Sequence, residues 1–198
     1  MNESARGVAA DLRAIAELLG TREADDALLD ETHARLAELR AALDAAPARP
    51  RWYDVDPSDR EASRAFHDEF GPMRGAASVV ALPLVFAPTR DGRVVARARG
   101  GVLHEGPPRL VHGGIVAACF DEVLAVAQRD AGVHGLTTEL TVRYRRPITI
   151  DTDLTFTAWI ESDDGRRATG RAECTVHEDV AADATATFVR PRGATAGS

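Results

Sequence analysis

The stretch "GPPRLVHGGIVAACFDEVLAVAQ", residues 106–128, decides how the rest of the chain is read. From residue 113 it is apolar at nearly every position, the pattern of a helix enclosed by other structure rather than lying on a surface. Two glycines stand at its start, and the Asp121-Glu122 pair interrupts its middle. Desolvating an unpaired charge costs several kcal/mol, so carboxylates in such a run need a structural partner or a chemical use.

Strand patterns flank this helix, which is expected over residues 113–131. Upstream, they cover 77–86 and 93–104, joined by "TRDG", whose Asp-Gly dipeptide favours a tight hairpin. Downstream, they cover 136–146, 152–161, 166–177 and 182–190, with "SDDG" marking another hairpin before Arg166. Six strands with one long helix lack the crossover helices of a parallel fold, so the reading is α+β: an antiparallel sheet wrapped around one central helix. N-terminal to this, Val8, Leu12, Ile15 and Leu19 have helical spacing up to a stop at Gly20. A second helix, with Thr21 as its N-cap, carries Leu29, Leu36, Leu39 and Leu43 as a stripe until Pro47 and Pro50. Such a stripe must be buried on the domain or on a partner chain. The chain thus divides into a helical extension (1–50), a connector (51–75), the main domain (76–192) and a tail (193–198).

Composition narrows the chemistry. A chain of 198 residues with 44% hydrophobic content suits one ordinary domain with an appendage. A net charge of −7 and the lack of a basic stripe speak against nucleic acid as a partner. No run reaches the ~18 apolar residues of a membrane span, and the polar start "MNESARG" is no signal peptide, so a cytoplasmic protein is expected. All 24 basic residues are arginine, which removes lysine-dependent phosphate loops and Schiff-base chemistry. The G-x-S-x-G and H-E-x-x-H patterns are absent, and Cys119 and Cys174, lacking metal-ligand spacing, read as small buried hydrophobes.

His112-Gly113-Gly114 places glycines in the first helical turn, where N–H groups have no intrahelical acceptor and the helix dipole is positive. Glycine there lets a ligand oxygen come close, the physics of an oxyanion hole, in which removing one donor has cost ~10²- to 10³-fold in rate. Asp121 lies eight residues beyond Gly113, about 12 Å along the axis at ~1.5 Å per residue. If both act on one bond they must come from two chains, with antiparallel helices across a two-fold axis. Gly114, Ala117, Ala118 and Ala125 share the Asp121 face and are small enough for another backbone or a slender ligand to approach. Glu122 is expected to face solvent or a structural partner such as Arg129 or Arg143, with a lesser reading as the base. Tyr144, in register with Leu140 and Val142, reads as core, and the remaining histidines read as surface or core fillers.

The run "EGPPRLVHGGIVAACFDEVLA", followed by "LTVRYRRPI", resembles the acyl-CoA thioesterases of the hotdog-fold superfamily, in the PaaI-like branch that includes mammalian thioesterase-superfamily members. The resemblance covers roughly residues 76–190 and implies the hotdog fold, a homodimer often paired into a tetramer, and hydrolysis of an acyl-CoA thioester without metal or cofactor. By position, Asp121 matches the family's general base or nucleophile, Gly113 its carbonyl-polarising N–H, His112 the neighbouring residue and Thr137 a Ser/Thr that orients water. Arg143, Arg145 and Arg146 then read either as a solvated strand end or as guanidinium forks for the CoA phosphates. Some members carry an Asn six residues before the His, where this chain has Gly106. Two other functions fit the same pattern: a hotdog enoyl-CoA hydratase or dehydratase, and a non-catalytic acyl-CoA-binding scaffold.

Overall fold

The computed structural model describes residues 3–56, 59–80 and 82–191, so the expected tail at 193–198 lies outside the described residues. Six strands form one antiparallel sheet: β1 (Val85–Phe86), β2 (Arg93–Arg99), β3 (Leu136–Tyr144), β4 (Asp153–Asp163), β5 (Arg167–Val176) and β6 (Asp179–Val189), in the order β1-β2-β4-β5-β6-β3. The central helix α5 (Gly113–Asp130) enters between β2 and β3 in sequence, and these strands lie four places apart in the sheet. The chain therefore crosses the width of the sheet through α5, and β3 becomes an edge strand bonded only to β6.

Alternation decides which side faces α5. The inward set is Val94, Ala96 and Ala98 of β2, Leu154, Phe156 and Ala158 of β4, Ala168, Ala172 and Cys174 of β5, and Ala182, Ala184, Ala186 and Phe188 of β6, all buried. So many alanines let the helix approach closely. At Gly170 a Cβ would stand 2.8 Å from Leu124 Cδ2, so glycine lets Leu124 of the helix pack down onto the sheet there. Phe120 of α5 meets Phe156 edge to face, with ring centroids 5.3 Å apart. Both cysteines are buried and unpaired, and desolvation pushes their thiols up to about 12.

Several sequence expectations need correction. The first strand shrinks from 77–86 to Val85–Phe86, because Pro83 has no N–H for a ladder. The second ends at Arg99 instead of 104: Gly100 packs against Val111, and a 3₁₀ turn follows at Val102–His104. The last begins at Asp179, since His177, at φ 56°, turns the chain in two residues. Both expected Gly-containing hairpins form, with Asp91 at φ 50° and Gly92 at φ 69° in the first and Gly165 at φ 88° in the second.

On the N-terminal side, α1 (Glu3–Thr21) runs through Gly20 rather than stopping there. Thr21 is no cap: its hydroxyl bonds back to the Glu17 carbonyl, and Asp25 caps α2 (Asp26–Asp44) by accepting from the Leu28 N–H at 2.8 Å. The connector holds α3 (Trp52–Val55) and α4 (Arg60–Phe70). Arg6 of α1 forks onto Glu69 of α4, with the shortest contact 2.6 Å. Most of the α2 stripe remains exposed in the chain on its own: Leu36 is half-buried, but Leu39 and Leu43 are 61% and 69% exposed.

Candidate active site

The N-terminus of α5 is built by its own capping residue. His112 holds an extended conformation, and its Nδ1 accepts from the Gly114 N–H at 2.9 Å. An accepting Nδ1 leaves the ring proton on Nε2. The Gly114 N–H is thereby used, while the Gly113 N–H meets no acceptor among the described residues. Gly106 packs on the other side of this histidine, where a Cβ would come within 2.9 Å of His112 Cα. The position that carries Asn in some similar proteins therefore has no room for a side chain here.

Tyr144 departs from its expected place in the core: it is 52% exposed. It does share the inward face with Leu140 and Val142, but it lies at the strand end, beyond the enclosed part of the helix. From there its hydroxyl donates to the Gly113 carbonyl at 2.7 Å, and its ring lies 3.3 Å from where a Gly113 Cβ would be. The sequence reading missed this contact, and only the position of Tyr144 at the end of an inward-facing register hinted at it. A cleft of about 330 Å³ opens beside Gly113, walled by Leu110, Val116, Tyr144, Arg145 and Arg146.

The second half of the site lies two turns along α5. Asp121 accepts from the Thr137 hydroxyl at 3.2 Å. A β-bulge makes this contact possible. Leu140, Val142 and Tyr144 face inward opposite Ala186, Ala184 and Ala182, and strict alternation would turn Thr138 inward next. The register instead slips between Thr137 and Glu139, placing Thr137 opposite the buried Phe188 and thus toward α5. Asp121 is not enclosed as its apolar neighbours suggested. It is exposed on a strip with Gly114 and the half-buried Ala117, Ala118 and Ala125, while Val116, Cys119, Phe120, Val123 and Leu124 face the sheet.

Glu122 points elsewhere. Its partner is Arg74, with Nη1 3.6 Å from Oε2, and neither Arg129, which binds Asp130, nor Arg143. Burial raises the Glu122 pKa, against the lowering effect of the Arg74 charge. Of the three arginines after residue 142, Arg145 pairs with Asp183 and Arg146 with Asp179, whereas Arg143 is exposed with no ion-pair partner among the described residues. One chain thus gathers Gly113, Tyr144, Arg145 and Arg146 around one cleft, with His112 and Gly114 flanking Gly113 in the chain, and sets Asp121 with Thr137 apart from them. Among the described residues, no three His, Cys, Asp or Glu side chains are grouped to hold a metal ion, and no helix is long and apolar enough to cross a membrane.

Residues 109–180 match the family described as the Thioesterase superfamily. A solved thioesterase superfamily protein is 26% identical with a TM-score of 0.79, covering 93% of this chain and 94% of that one. A mutant of the phenylacetic acid degradation protein PaaI from Thermus thermophilus shares 24% identity at a TM-score of 0.52, covering 56% of this chain and 95% of its own. A hypothetical thioesterase protein with coenzyme A from Streptococcus pneumoniae shares 20% identity at a TM-score of 0.51, covering 54% and 86%. Residues 109–180 thus resemble the thioesterase superfamily, and the sheet and helix around them form a hotdog fold like that of the PaaI proteins.

Proposed function

We propose that this chain hydrolyses an acyl-CoA thioester at a site completed by two copies of itself. The observation that carries the reading is the Asp121–Thr137 pair, exposed on a strip of small residues along α5 and remote from the Gly113 N–H of its own chain. Antiparallel apposition of two such strips brings Asp121 of one copy toward Gly113 of the other, and the edge position of β3 leaves its backbone open to the same partner.

In that arrangement the thioester carbonyl oxygen accepts from the Gly113 N–H, where the helix dipole favours developing negative charge. Thr137 holds one Asp121 oxygen, leaving the other to take a proton from water as the water oxygen bonds to the carbonyl carbon. Collapse of the tetrahedral intermediate breaks the C–S bond, and CoA leaves as thiolate while the acid is released. Direct attack by Asp121 through an anhydride uses the same groups. Arg145 and Arg146, which line the cleft beside Gly113, take the CoA phosphates in this reading by exchanging their aspartate partners for phosphate. The coenzyme A in the similarly folded pneumococcal protein supports this ligand class.

A free-thiol assay over a panel of acyl-CoAs, run beside Asp121→Asn and with sedimentation to give the oligomeric state, tests the reading. Hydrolysis by a dimer, lost in the variant, is expected. Double-bond hydration instead points to a hydratase, binding without turnover points to a scaffold, and turnover by a monomer overturns the two-chain site.

A further inference from the structure

The Arg74 side chain is only 9% exposed, an expensive place for a guanidinium. It follows α4 in the chain and joins two elements: Nη2 stands 3.2 Å from Asp68 Oδ1 of α4, and Nη1 stands 3.6 Å from Glu122 Oε2 of α5. Its Nε is buried with no hydrogen-bond acceptor among the described residues, so the bridge is held although one donor finds no partner there. The next residue of α4, Glu69, anchors Arg6 of α1. A line of ion pairs therefore runs from α1 through α4 to the residue beside Asp121.

We infer that Arg74 is a positioning residue for the candidate site: it pins Glu122 to the inner flank of α5, so that Asp121 alone faces Thr137 and the exposed strip. The inference rests on the thioesterase reading above. Neighbouring helix positions are ~100° apart around the axis, and two like charges there repel. Among the described residues, the charged and titratable groups acting on Glu122 are Arg74, Asp121, Asp68 and Cys119. Arg74 is the only cation among them. Without it, Glu122 is a half-buried carboxylate that has lost this counter-charge, which either holds its proton more tightly or swings toward the strip.

The test compares Arg74→Met, Arg74→Lys, Glu122→Gln and Arg74→Met/Glu122→Gln, using pH profiles of kcat/KM for the most rapidly hydrolysed acyl-CoA. Arg74→Met is expected to lose about tenfold in kcat/KM near neutrality and to gain an ionisation above the wild-type acidic limb. Glu122→Gln in the same background is expected to remove that ionisation, and Arg74→Lys to restore the wild-type profile in part. A profile of unchanged shape in Arg74→Met, or a double variant no closer to wild type than the single one, overturns the inference. Carbon-13 carboxyl titration, with the Glu122 signal assigned by its loss in Glu122→Gln, provides a readout without turnover. An upward shift of the Glu122 midpoint in Arg74→Met, smaller in Arg74→Lys, supports the link, and an unmoved midpoint in Arg74→Met sinks it. If wild type hydrolyses no thioester, the thioesterase reading fails while the titration still decides whether Arg74 controls Glu122.

Discussion

Helices α2 and α5 differ by one residue in length, and both are alanine-rich with an apolar stripe, yet they end in opposite surroundings. α5 buries seven residues against the sheet, whereas α2 buries none. What holds α2 in shape is local: the Asp25 cap, the Thr32 hydroxyl on the Leu28 carbonyl, and the exposed Glu31–Arg35 pair. Isolated helical turns of this kind add only tenths of a kcal/mol per pair, so α2 depends on propensity where α5 depends on burial. An apolar stripe thus tells which side of a helix seeks cover, and says nothing about what covers it.

The contrast also divides α5 itself, whose inner face packs on the sheet and whose outer strip carries the proposed chemistry. Asp121→Asn should therefore separate the two, cutting thioester turnover by ~10²- to 10⁴-fold in steady-state assays with little change in Tm. A large fall in Tm would place Asp121 among the structural residues. On the inner face, Phe156→Ala removes the edge-to-face partner of Phe120 and should cost about 3 to 5 kcal/mol in urea unfolding. At the junction of the faces, Gly106→Ala drives a Cβ into the His112 backbone. It should cost about 1 to 3 kcal/mol and slow turnover through the displaced cap, read by parallel unfolding and kinetic measurements.

Smaller effects belong to the rim and to α2. Asp163 is held down to about 2 by the paired hydrogen bonds from Arg190, then by the Gly165 N–H. Its folded-state pKa lies below the unfolded value, so its contribution is present above ~pH 4 and is lost as pH falls toward 2. Partial exposure limits it to about 1 kcal/mol, and Asp163→Asn should flatten the acid side of the stability curve by that much. Smallest of all, Leu43→Ala on α2 should change stability by under ~0.5 kcal/mol in the dilute chain. A loss that grows with protein concentration would show that another copy covers the stripe.

How far these contrasts were legible varies with the kind of information needed. Alternation in β4, β5 and β6, the Asp-Gly and Gly-containing turns, and the apolar run of α5 are local signals, and they led to the antiparallel sheet around one helix. Local signals also misled: Pro83 cut a strand that hydrophobicity alone extended, and Thr21 lost the capping role to Asp25 because α1 ran past the glycine expected to stop it. The Asp-Glu pair drew attention as chemistry in an apolar run. Its split into an exposed Asp121 and a half-buried Glu122 paired to Arg74 depended on a contact across 48 positions of sequence, and no spacing rule reports such a contact.

By itself the sequence determined periodicity, turn chemistry, the glycines at the start of α5 and the absence of lysine, because each is set within a few neighbouring residues. Only the tertiary structure decided that a bulge near Thr138 turns Thr137 toward Asp121, that Tyr144 leaves the core to hold the Gly113 carbonyl, and that Leu39 and Leu43 of α2 stay exposed. The physical reason is that side-chain direction in a strand inverts with one inserted residue, and burial is a property of what arrives from far along the chain.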